Sequence, residues 1–138
     1  MSGDRGSVSV EVAMLTPAFL LLVALAAVTG RTAIAQNAID LAAHDAARAA
    51  SISRTAGTAR RAGEAAALDT LRAQGLACAP RVTVDTSGFA TPVGSPAAVR
   101  VVVDCVVSFT DLALPGVPGS RELSADFTSP IDRYRGRR

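Results

Sequence analysis

The sequence predicts an α+β protein carried on a membrane helix: a long apolar N-terminal helix, a second helix, and a small three-stranded antiparallel sheet. Three observations predict it. Val12–Gly30 holds no charged side chain. Ala33–Ala77 is dominated by alanine, the best helix former. The last third switches to alternating apolar and polar residues, the period of a half-buried strand.

The apolar run comes first. Its nineteen residues rise to about 28 Å as a helix, close to the hydrocarbon thickness of a bilayer. A helix at the surface of a soluble protein shows a polar face, and this one offers only Thr16 and Thr29. Pro17 would cost about 3 kcal/mol inside a helix in water, but membrane helices tolerate it as a kink. Glu11 stands at the edge of the run. A carboxylate at that place needs a reason, because charge is costly to carry into a bilayer.

Residues 31–56 and 59–76 are expected to be helical. The segment "RTAGTARRAG" suggests a break near Gly57. Ile34, Ala38, Leu41, Ala42, Ala49 and Ile52 recur at helical spacing and predict one narrow small-residue face. So narrow a face buries little area, so this stretch reads as a stalk continuing from the membrane. Leu68, Leu71 and Leu76 give the second helix its apolar side. Asp40, His44 and Arg48 are four apart and share a helix face, which reads as a structural pairing rather than general-base chemistry.

Three segments alternate: "RVTVDT", "VRVVVDCVVSF" and "ELSADFT". In the second, Val99, Val101, Val103, Cys105, Val107 and Phe109 share a face, and in the third Leu123, Ala125 and Phe127 do. "SGFATPVGSPA" and the Pro/Gly-rich "LPGVPGS" connect them, and "DRYRGRR" forms a basic tail. The strands should form a meander whose Val/Phe face lies on the second helix.

Composition excludes much else. The net charge is +2, too small and dispersed for a nucleic-acid partner. One histidine and two cysteines leave little for a metal or catalytic centre, and no motif calls for a cofactor or a small-molecule substrate. All fourteen basic residues are arginine.

Within "GSVSVEVAMLTPAFLLLVALAAVTGRTAIAQNAIDLAAHDAARAA", Gly6, Glu11, Ala13, Pro17, Gln36 and the "AARAA" of Ala46–Ala50 stand in a definite order. This stretch, about a third of the chain, resembles the TadE-like family of pilin-like proteins in tight-adherence, Flp-type pilus systems. Val12 is a departure, since an aromatic often follows the Glu in pilin signals. The resemblance implies a minor pilin or pseudopilin of pilin-like architecture, with no enzymatic role. It implies a prepilin peptidase that cuts between Gly6 and Ser7, leaving Glu11 to meet the new ammonium of Ser7 on an adjacent subunit. The implied segments are a leader over 1–6, a transmembrane helix over 7–30, a helical stalk over 31–76, a β head over 77–130 and the tail 131–138. Glu11, Pro17 and Gly30 become assembly positions, Gly30 through its small pairing with Ala26. The implied partners are the membrane, other pilin or pseudopilin subunits, the pilus assembly machinery and the peptidase.

Flanking charge does not set the orientation, because Asp4 and Arg5 cancel and Arg31 lies on the far side. A single-pass protein of the cytoplasmic membrane, N-terminus inside and head outside, follows from the resemblance. Outside the cytoplasm, Cys78 and Cys105 in so small a domain favour a disulfide, the alternative being two buried thiols. A different reading of the N-terminus also stands. Ala33, Ile34 and Ala35 form a small-x-small pattern, and signal peptidase cutting after Ala35 would release a secreted binding domain.

Overall fold

The computed structural model describes residues 5–109 and 119–134. Most of the "LPGVPGS" turn, the end of the basic tail and residues 1–4 of the expected leader lie outside the described residues. In order, the elements are α1 (Arg5–Ser51), α2 (Ala56–Ala73), β1 (Arg81–Asp85), a short 3₁₀ turn (Ser87–Ala90), β2 (Ala97–Ser108) and β3 (Ser120–Ile131). The chain divides into two compact units, Met1–Ala33 and Ile34–Arg138, and α1 contributes to both.

The first unit is apolar helix. Phe19, Leu21 and Leu25 are each more than half exposed, and no residue from Val10 to Ala33 is buried. The hydroxyls bond within the helix. Thr16 donates to the Val12 carbonyl at 2.6 Å, and Thr29 to that of Leu25 at 3.0 Å. Such back-bonding hides a polar group on an apolar cylinder. Pro17 lies inside the helix and has no N–H to give to the Ala13 carbonyl.

The second unit is a two-layer α+β head. Its sheet has the order β1-β2-β3, both pairings antiparallel. The alternation seen in the sequence sets its faces. Val99, Val101, Val103, Cys105, Val107 and Phe109 all point into the core, as expected. Leu123 and Ala125 join them, while Phe127 at the same parity remains 40% exposed. The opposite face is mixed, with Val102 and the exposed Val106 among polar residues. Arg100 Nη2 lies 3.0 Å from Asp126 and is register-paired with Asp85 on its other side.

Both helices cover the apolar face. α1 follows β3 through three contacts. Gln36 Nε2 donates to the Ser124 carbonyl at 3.1 Å, His44 packs edge-on against Phe127 at 4.6 Å between centroids, and Ser129 Oγ donates to Ser51 Oγ at 3.0 Å. α2 lies over β1. A methyl group on Gly63 would stand 3.2 Å from Val84 on β1 and 3.3 Å from the Ala46 carbonyl on α1.

Here the structure differs from the stalk expected over the start of this region. Residues 34–51 pack as a core helix of the head. Their buried residues are Ala35, Ala38, Ile39, Ala42, Ala43, Ala46, Ala47 and Ala50; Ala38 and Ala42 of the expected face are among them, whereas Ile34 and Ile52 are 70% and 62% exposed. With so many alanines, several stripes have helical spacing. The one chosen is that against which the valine-rich sheet and Gly63 can approach closely. Alanine here sacrifices side-chain area but permits short interelement distances, and the sheet supplies the bulk.

The helix boundaries differ too. α1 ends at Ser51 and α2 begins at Ala56, so the interruption falls at 52–55 and Gly57 lies inside α2. Thr55 decides this. Its hydroxyl accepts from the Thr58 N–H at 3.1 Å while the Thr58 hydroxyl accepts from the Thr55 N–H at 3.2 Å, a reciprocal cap. At the other end Gly75 takes φ +67°, and the Leu76 N–H returns to the Leu71 carbonyl at 3.1 Å. This ends α2 at Ala73 rather than 76, with Leu76 folded back onto the core.

Candidate functional site

The candidate assembly and processing positions lie along the first unit. Gly6 and Ser7 fall in the first turn of α1. Glu11 is exposed five residues beyond Gly6. From Glu11 to Gly30 the helix rises about 28 Å, so these positions stand near opposite ends of a bilayer-length cylinder. Glu11, Pro17 and Gly30 do not share a helical stripe, since separations of six and thirteen residues leave each turned by more than about 100° from the last. The structure therefore does not gather them into one site. Gly30 has open space beside it, with nothing within 4 Å of an added methyl.

Cys78 and Cys105 are joined in a disulfide, with Cα atoms 6.0 Å apart, within the usual range. It ties the segment after α2 to β2. Among the described residues no group of three or more His, Cys, Asp or Glu could hold a metal ion.

The expected helical cluster of Asp40, His44 and Arg48 is rearranged. His44 Nδ1 lies 3.4 Å from Asp45, its chain neighbour, while Asp40 accepts from Gln36 at 3.0 Å. Asp45 also accepts from the Thr70 hydroxyl at 2.9 Å, linking α1 to α2. Phe127 holds the His44 ring, so packing overrides the four-residue spacing. The Asp85 carboxyl, at the end of β1, is held below its ordinary value by the Ser87 N–H and hydroxyl, aided by the positive charges of Arg100 and Arg60.

Two positions that matter to this architecture were hidden in the sequence. Gly63 looks like part of a glycine-bearing break, yet it shares a stripe with Ala59, Ala67 and Leu71 at steps of four, and that spacing was the available signal. Phe127 as the seat of His44 had no local signal, because the pair is separated by most of the head.

Residues 6–48 match the family model of the TadE-like protein. The match spans Gly6, Glu11, Pro17, Gly30 and Gln36, and agrees with the resemblance read from those residues; α2 and the sheet lie beyond it. No curated protein and no solved structure matches the chain. The matched family is pilus-associated and structural in kind, and the apolar helix fits a single-pass membrane anchor.

Proposed function

We propose that this protein is a membrane-anchored minor pilin or pseudopilin that serves the assembly of a Flp-type pilus used in adhesion or secretion. The observation that carries it is an apolar helix in which no residue from Val10 to Ala33 is buried, with Glu11 near its start, lying within the family match. In this reading prepilin peptidase cuts between Gly6 and Ser7. The helix stays in the cytoplasmic membrane, N-terminus inside. The head lies outside, where its disulfide is maintained. Glu11 is the fifth residue of the mature chain and pairs with the ammonium of a neighbouring subunit. That pairing offsets the cost of placing a carboxylate at the edge of the hydrocarbon. The partners are pilin or pseudopilin subunits and the assembly machinery.

The alternative, release of a binding domain by cutting after Ala35, places the cut within α1. It would remove Ala35 from the core of the head and leave the core from Ile39 onward in place, so the mature N-terminus separates the two readings.

The test is the mature N-terminus, read by mass spectrometry, together with pilus counts for two variants. Gly6→Leu should block removal of the first six residues, because a bulky side chain meets a pocket shaped for glycine. Glu11→Gln should leave membrane insertion intact and reduce piliation. A mature N-terminus at Gln36 would establish the secreted domain instead. An uncut N-terminus with normal piliation in both variants would reduce Glu11 to an interfacial acid.

A further inference from the structure

The two halves of the disulfide occupy unlike places. Cys105 is 1% exposed. It sits in the last third of β2, one residue past the stretch paired with β1, with Val103 and Val107 on its own face and Leu123 opposite on β3, all three buried. Cys78 is half-buried in the irregular segment between α2 and β1, and its neighbours Ala77 and Ala79 are exposed. Thiol–disulfide exchange requires a thiolate to approach a sulfur along the axis of the bond it breaks, so access governs which sulfur reacts. Of the two residues only Cys78, which packs against the edge of the core, retains solvent exposure, and it is the one a bulky co-reactant can approach.

We infer that Cys78 is the entry site for thiol–disulfide exchange with an external disulfide-bearing oxidant, and that Cys105 is the resolving cysteine. The Cys78 thiolate attacks the oxidant disulfide. One oxidant sulfur becomes bonded to Cys78 and the other leaves as a thiol. The Cys105 thiolate then attacks Cys78 Sγ from inside the head, and the second oxidant sulfur leaves as a thiol. The two protein thiols lose two electrons and two protons, and the oxidant disulfide is reduced to two thiols. The mixed disulfide forms on the segment that follows the cap of α2, so it is accommodated without parting β2 from β3. This order does not depend on the role of the head in a pilus.

The experiment uses the full chain in detergent, reduced and then held in native buffer. Iodoacetamide labelling followed by peptide mapping should modify Cys78 about tenfold or more faster than Cys105, since site selectivity follows access. With oxidised glutathione as the probe, Cys105→Ala should retain a stable adduct on Cys78. Cys78→Ala should take none on Cys105 until urea opens the core. Equal labelling rates in the reduced wild type would overturn the assignment, whether they came from an open core or from a reduced chain that does not fold. So would a glutathione adduct on Cys105 in Cys78→Ala whose circular dichroism is native. The wild-type labelling decides the matter if either variant fails to fold.

Discussion

Gly63 is the residue on which the packing of the head turns. Its missing side chain lets α2 approach both Val84 and the Ala46 carbonyl, and an added methyl would already be tight against both. Ala50 stands at ordinary contact distance, 3.5 Å, on a third side. Gly63→Leu should destabilise the head by about 1–3 kcal/mol, the usual cost of overpacking, read as a lower midpoint in thermal unfolding. Gly57→Ala, where nothing lies within 4 Å, should instead be neutral or stabilising through its helix propensity, which separates crowding from backbone effects. Asp85 supplies a second prediction at this scale. Its folded-state pKa lies below the ordinary value of 3.8, so it contributes stability above that pH and loses it as pH falls through the folded value. Wild type should therefore exceed Asp85→Asn in stability at neutral pH, and the two should converge in acid. Parallel curves across that range would refute the linkage.

At the scale of elements, the sheet is strong in its own pattern and the helices depend on punctuation. β2 is central, paired on both sides, and its inward face is apolar throughout. α2 is amphipathic only through Ala59, Gly63, Ala67 and Leu71, a small-residue stripe that buries little area. Its position is held by the Thr55–Thr58 cap at one end and by the Gly75–Leu76 turn and Cys78 at the other. The disulfide links residues separated by 27 in sequence, worth roughly 3–4 kcal/mol in the chain-entropy description. Cys78→Ser and Cys105→Ser should both lower the unfolding midpoint clearly, and non-reducing peptide mapping of native protein should recover one linked pair. Two alkylatable thiols in protein taken from its own envelope would contradict the oxidised head. Thr55→Ala should cost about 1 kcal/mol, as loss of an N-cap does.

For the whole molecule, the division at Ala33/Ile34 has a direct consequence. The head carries its own core, from Ala35 through Ile131, and among the described residues that buried cluster begins at Ala35, after the apolar helix. A truncated chain beginning at Ile34 should therefore be expressed without detergent, form the Cys78–Cys105 bond and unfold cooperatively. The full chain should require a bilayer or detergent, because its first unit exposes a continuous apolar cylinder. Aggregation of the truncated chain with both thiols free would show that the head is not autonomous.

The sequence alone determined everything that depends on local period and composition. The uncharged run Val12–Gly30 dictates an apolar helix of membrane length, because a bilayer asks only for length and hydrophobicity. The inward set from Val99 to Phe109 was legible because a strand has a period of two and alternation admits only one apolar face. The order of Gly6, Glu11, Pro17 and Gln36 carried the family likeness for the same reason, being a property of spacing along one helix. The tertiary structure decided the rest. Alanine is small on every side of a helix, so the pattern of residues 34–51 did not specify which stripe would be buried, nor that it would be core at all. That was settled by what could approach it: Gly63 from α2 and the valine face of β2. His44 chose Phe127 and Asp45 over Asp40 because ring packing across the head outweighs an exposed pairing four residues away. The bond between Cys78 and Cys105 required the segment after α2 to return to β2, a meeting that exists only once the layers have closed.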